Sequence, residues 1–107
     1  MWRPVTMSST RVKLEGLPAA MAEKLRQLGG RYGIGNIRVF GSFARGDAGP
    51  TSDVDLLVDY LPGQKGFAFV RFCEEAEALL GRSVDVATEK SLHPLIRERV
   101  LAEAVPL

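Results

Sequence analysis

Apolar and polar positions divide this chain into alternating helical and extended stretches. Leu17, Met21, Leu25 and Leu28 recur at helical spacing and predict an amphipathic helix that Gly29-Gly30 stops. Residues 36–40, rich in β-branched and aromatic side chains, predict a short strand ended by Gly41. Ser42 then stands as an N-cap for one helical turn through Arg45, and residues 46–51 read as a loop. Residues 52–60 form the clearest strand: Val54, Leu56 and Val58 share one face, and Asp53, Asp55, Leu57 and Asp59 share the other. Pro62-Gly63 turns the chain. Phe69, Phe72, Cys73, Ala76, Leu79 and Leu80 form a helical stripe ended by Gly81. Val84 and Val86 bracket Asp85 on a third strand, and His93-Pro94 opens a last helix through about residue 104, with proline at its first position.

This alternation predicts an α/β (α+β) layer domain: a small mixed β-sheet flanked by helices. Residues 1–13 are mixed and polar, an extension that is either loosely ordered or a short edge strand. Residues 14–107 form the single domain, since 107 residues build one core and not two. No internal repeat or low-complexity segment interrupts it. Met7 is a second candidate start beside Met1.

Composition narrows the setting. Hydrophobic residues make up 46% and charged residues 25%, the balance of a water-soluble domain. A net charge of +1 argues against a polybasic surface, hence against tight sequence-independent nucleic-acid binding. The lone Cys73 excludes an internal disulfide framework. No run has the length of a signal peptide's apolar core or of a membrane span. A cytoplasmic protein with no membrane contact is the expectation.

The acidic face carries the chemistry. Apolar side chains of residues 52–60 turn to the core, so Asp53 and Asp55 face solvent, cations or both, about 6.5 Å apart along the strand. Two like charges so close repel unless a cation lies between them. The hard oxygens suit one Mg²⁺ or a bridged pair of ions. Separated from Asp53 by ten residues, Gly41-Ser42 ends the preceding strand. Glycine there lets the backbone approach an anion closely, and the serine hydroxyl adds a donor. Arg45 stands one turn on, able to reach a phosphate oxygen or to pair with Asp47. Asp85, on the non-core side of a separate strand, supplies the third acid that a two-ion site needs, with ions about 3.5–4 Å apart stabilising the attacking and leaving oxygens. Taken singly, each feature has a plain alternative: a solvated strand edge, a tight N-capped turn, an exposed strand residue. Their joint occurrence describes a site for a metal–nucleotide complex.

Gly41-Ser42, ten residues, Asp53-Val54-Asp55, then a later strand acid resembles the polymerase-β-like nucleotidyltransferases. At this length the chain is similar to their minimal branch, the MNT antitoxins of HEPN/MNT toxin–antitoxin pairs. The resemblance covers about residues 35–104, with no departure at the catalytic positions. It implies that Asp53, Asp55 and Asp85 are catalytic and bind two Mg²⁺, that Asp85 also helps activate the acceptor hydroxyl, and that Gly41 and Ser42 seat the triphosphate of ATP. It further implies transfer of AMP to a hydroxyl, a tyrosine of a partner HEPN ribonuclease toxin. A site built of carboxylates and backbone donors, without a Cys or His nucleophile, agrees with phosphoryl-type transfer, where positioning and charge neutralisation dominate. The competing reading is a non-catalytic antitoxin module that neutralises its partner by occlusion; intact acids favour the enzyme. A tRNA-end or antibiotic nucleotidyltransferase would need a longer chain or a basic groove.

The remaining residues read plainly. His93 is a helix cap or surface residue, Cys73 a small core residue, and Asp59 a strand-end charge rather than a fourth acid of the site. Trp2 and Phe67 are candidate anchors for a terminus or a partner. The helix of residues 67–80 has a stripe suited to the core or to a second subunit.

Overall fold

The computed structural model describes residues 17–60 and 66–107. The N-terminal extension with Trp2 and the Pro62-Gly63 turn lie outside the described residues. Helix α1 (Ala19–Arg31) leads into β1 (Ile34–Phe40), the one-turn helix α2 (Ser42–Arg45) and β2 (Val54–Tyr60). Then follow α3 (Gly66–Leu80), β3 (Val84–Ala87), a 3₁₀ turn (Glu89–Ser91), α4 (Pro94–Glu103) and the two-residue β4 (Val105–Pro106). The four strands form one mixed sheet in the order β3-β2-β1-β4. β1 pairs antiparallel with β2 and β4, while β2 and β3 run parallel, joined through α3 as parallel neighbours require.

Strand alternation divides the sheet's two faces. Val39, Leu56 and Val58 turn toward α1 and α3 and meet Leu25 and Phe72, all five without exposed surface. Leu57, on the face read as acidic, is equally buried, beneath Leu92 and Val100, with Phe40, Ala87 and Ala104 around it. That face is thus partly roofed, and the aspartates lie at its margin.

Three local readings change. The glycine pair does not stop α1, which runs through Gly29 and Gly30 to Arg31. Gly29 is a packing residue: a Cβ there would stand 2.6 Å from the Ile34 carbonyl oxygen and 2.9 Å from Ile37 Cδ1. The first strand begins at Ile34, two residues early, because a register shift between Gly35 and Arg38 accommodates a bulge. At the bulge Asn36 takes φ 49°, a conformation asparagine tolerates, and its amide donates to Asp59 at 2.9 Å. The second strand starts at Val54, leaving Ser52 and Asp53 just ahead of it.

Other expectations hold. Gly81 follows α3 with φ 71°, and Phe72 and Ala76 of the stripe are buried. Pro94 opens α4, and His93 caps it by accepting the Leu95 N–H at 3.1 Å. Among the described residues no helix is long and apolar enough to cross a membrane.

Candidate active site

β1 ends at Phe40, opposite Asp55 on β2, and Asp55 in turn lies opposite Asp85 on β3. Register therefore makes the two acids direct neighbours across parallel strands about 4.8 Å apart. Asp53 stands two residues before Asp55, just ahead of the strand, and its charge is near enough to act on the Asp55 carboxyl. Arg82 holds the approach to Asp53: it donates to the carbonyls of Gly49 at 3.2 Å and Ser52 at 2.9 Å, and its guanidinium sits 4.9 Å over the Phe43 ring.

Gly41 closes against this cluster. It adopts φ 74°, ψ −150°, and a Cβ would fall 2.2 Å from Asp55 Oδ2. The backbone conformation favours glycine strongly, and any Cβ here would push the Asp55 carboxylate aside. Gly41, rather than Ser42, is the N-cap of α2, and no side chain caps it. Ser42 is the first helical residue, half-buried, and its hydroxyl has no capping role.

Charge is uneven here. Asp55 is half-buried, and its carboxyl is pushed above the usual carboxylate range, first by burial and then by the charges of Asp85 and Asp53. Arg45 opposes that shift and Glu103 adds to it. Asp53 and Asp85 are exposed. Arg45 meets both Asp47, at 3.5 Å, and Glu103, at 3.2 Å. Glu103 Oε2 also accepts the Gly41 N–H at 2.7 Å.

Gly41, Asp53, Asp55, Asp85 and Arg45 are thus brought to one end of the sheet. Asp59 is not; it lies toward the other end of β2, paired with Arg38 at 3.1 Å and with Asn36. A groove of about 560 Å³ at that far end is lined by Val58, Asp59, Tyr60, Thr88, Glu89 and Lys90 and includes none of the site acids. Glu103 escaped the reading of the sequence. Its only trace there is an acidic residue in the last turn of a helix, where the carbonyl end disfavours negative charge.

The donor set fits a hard divalent cation. Asp55, pushed up first by burial and then by the charges of Asp85 and Asp53, gains from a positive charge among them. Among the described residues no group of three or more acidic, His or Cys side chains is placed to hold a metal ion by itself; Mg²⁺ needs only one or two protein carboxylates beside water and phosphate oxygens.

Residues 19–107 match the family model described as a nucleotidyltransferase domain, and the chain belongs to that family. Among its relatives is the protein adenylyltransferase MntA of Thermococcus cleftensis, 39% identical over 92 residues that span 86% of this chain and 93% of that one. A second relative is MJ0435 of Methanocaldococcus jannaschii, a candidate protein adenylyltransferase, 43% identical over 75 residues that cover 70% of this chain and 81% of that one. The fold is that of minimal nucleotidyltransferases: a solved structure described as a candidate member superposes with a TM-score of 0.74 at 44% identity, covering 82% of this chain and 90% of its own. A toxin–antitoxin structure solved with AMP-PNP shares the fold, with a TM-score of 0.67 at 20% identity over 79% of this chain and 70% of that one.

Proposed function

We propose that this nucleotidyltransferase transfers AMP from Mg-ATP to a hydroxyl, a tyrosine, of a HEPN-type ribonuclease toxin and thereby acts as its antitoxin. The observation that carries the reading is the register of β2 and β3, which sets Asp55 beside Asp85 while Gly41 packs on the Asp55 carboxylate. Family membership supports nucleotidyl transfer. The relative named protein adenylyltransferase supports a protein acceptor, and the fold shared with a toxin–antitoxin structure agrees with a toxin as that acceptor.

In this reading Asp53, Asp55 and Asp85 would hold Mg²⁺. The bound metal would neutralise phosphate charge and make the acceptor hydroxyl easier to deprotonate. Gly41 and Ser42 offer the triphosphate a close-approaching backbone and a hydroxyl donor, and Arg45 offers a cation. An Asp85 carboxylate oxygen would accept the hydrogen bond of the acceptor hydroxyl and take its proton as the new bond forms. The hydroxyl oxygen then bonds to the α-phosphorus, the bond to pyrophosphate breaks, and the acceptor keeps AMP as a phosphodiester.

Incubating the chain with Mg²⁺, α-labelled ATP and a lysate of its source cells, beside Asp53→Ala, tests this. The expected result is a labelled, protease-sensitive band with wild type alone. RNase-sensitive label would move the acceptor to RNA. Neutralisation of the toxin by Asp53→Ala, with labelling abolished, would make occlusion the antitoxin mechanism.

A further inference from the structure

The Glu103 carboxylate bridges both ends of the turn proposed to receive the nucleotide. One oxygen accepts the Gly41 N–H at 2.7 Å, and the other accepts from Arg45 Nη1 at 3.2 Å. Its side chain is only 17% exposed. The carboxylate is anchored from two directions. Behind it, Val100 buries α4 against Leu57. Ahead of it, Val105 and Pro106 pair with Val39 and Arg38, and the Leu107 N–H donates to the Ile37 carbonyl at 3.1 Å. An acid at a helix C-terminus faces the helix's own negative end, so its neighbours must compensate. Gly41 and Arg45 do so.

The contacts also indicate what Glu103 leaves open. It engages the N–H of Gly41, ahead of α2, while within the turn the Arg45 N–H returns to the Gly41 carbonyl at 3.0 Å. Of the guanidinium, Glu103 takes Nη1 and Asp47 takes Nε. The rest of that fork stays available to an anion.

We propose that Glu103 is a positioning residue for the nucleotide: it fixes Gly41 and aims Arg45 so that the turn meets the triphosphate already in its bound shape. The inference rests on the nucleotide site proposed above. Preorganisation of this kind acts on binding, because groups held in place beforehand lose less freedom when the ligand arrives. A residue acting through Gly41 and Arg45 therefore shows itself in affinity and KM more than in kcat.

The test is calorimetric titration of Mg-ATP into the full chain, together with transfer kinetics, for wild type, Glu103→Ala, Glu103→Gln and Arg45→Ala. Loss of a charge-assisted bond to both partners predicts Mg-ATP binding weakened about tenfold or more in Glu103→Ala, with kcat within about threefold of wild type. Glu103→Gln retains an acceptor for the Gly41 N–H but not the charge facing Arg45, and gives a smaller loss of roughly threefold. On an Arg45→Ala background, Glu103→Ala costs much less than it does alone, since the two share one contact. If Glu103→Ala does not fold, Glu103→Gln decides, measured alone and on the Arg45→Ala background. Wild-type affinity in a folded Glu103→Ala or Glu103→Gln overturns the inference alone. Tighter binding in Glu103→Gln also overturns it, by making the carboxylate a competitor of the phosphates. A wild type that binds no Mg-ATP overturns the nucleotide reading and this inference together.

Discussion

The two ends of the sheet's α4-covered face treat charge in opposite ways. At one end Arg38, only 12% exposed, donates to Asp59 at 3.1 Å and to Glu89 at 3.4 Å, so one cation is shared between two carboxylates. At the other end Asp53, Asp55 and Asp85 stand together, and the nearby cation, Arg45, is already engaged by Glu103 and Asp47. Between them Leu57 packs under Leu92 and Val100. β2 supplies acids to both ends through the same alternation. The difference lies in the partners that other elements bring, and it separates a balanced ion pair from a cluster of acids whose nearby cation is already engaged.

The strongest way to break this contrast is to remove the acids at the open end. Asp53→Ala/Asp55→Ala is expected to lose at least about 10⁴-fold in AMP transfer, a barrier increase of roughly 5 kcal/mol, without any loss of thermal stability. Transfer assays beside a melting curve check both halves, and a marked fall in Tm would make these acids structural. Phe72→Ala is the converse. Truncating this fully buried ring beneath the opposite face should cost about 3–5 kcal/mol of stability while the folded fraction keeps its transfer rate. Urea unfolding with activity normalised to folded protein measures it.

Legibility in the sequence follows the same division. Periodicity reports which side of an element is apolar, so β2, the stripe of α3 and the start of α4 were readable from their own residues. So was the set Gly41, Asp53, Asp55 and Asp85, because a short loop and one strand carry three of the four. Partners from distant elements were not. Glu103 is 62 positions from Gly41, and nothing local marks an acid at a helix end as the holder of a backbone N–H across the fold. The burial of Leu57 was hidden for the same reason, since α4 had to be placed over that face first. Gly29-Gly30 misled because a glycine pair has two physical uses, chain termination and close approach, and only the neighbouring strand decides between them.

That last ambiguity can be tested at adjacent positions. Gly29→Ala drives a methyl group toward the Ile34 carbonyl oxygen at 2.6 Å and should destabilise by about 1–3 kcal/mol. Gly30, also within α1, has nothing within 4 Å of its added Cβ. There alanine should stabilise by about 0.5–1 kcal/mol, because helical glycine gives up more backbone freedom on folding. Equal effects at the two sites would remove the close approach of α1 to β1 as the reason for the pair. Neither change should alter transfer by the folded protein.

The smallest expected effect tests the charge imbalance most directly. Burial, then the charges of Asp85 and Asp53, raise the folded-state Asp55 above the ordinary carboxylate value of about 3.9. A raised carboxyl contributes stability that is fully present below its unfolded value and is lost as pH rises through its folded value. Without a divalent cation, the wild type should therefore carry a penalty at neutral pH that fades as pH falls through the folded-state value and is gone below about pH 4. Asp55→Asn, which removes the charge and keeps the shape, should raise the neutral-pH Tm by roughly 2 °C and flatten the slope above the Asp55 transition. Adding Mg²⁺ should raise the Tm of wild type and leave the variant nearly unmoved. At the balanced end, Asp59→Asn should do the reverse, lowering Tm slightly by leaving Arg38 with Glu89 as its one remaining acidic partner among the described residues. Melting curves in chelator and in Mg²⁺ across pH read all three. A fall in Tm for Asp55→Asn would mean that its carboxylate is as well partnered as that of Asp59, and that the two ends do not differ in the way their geometry implies.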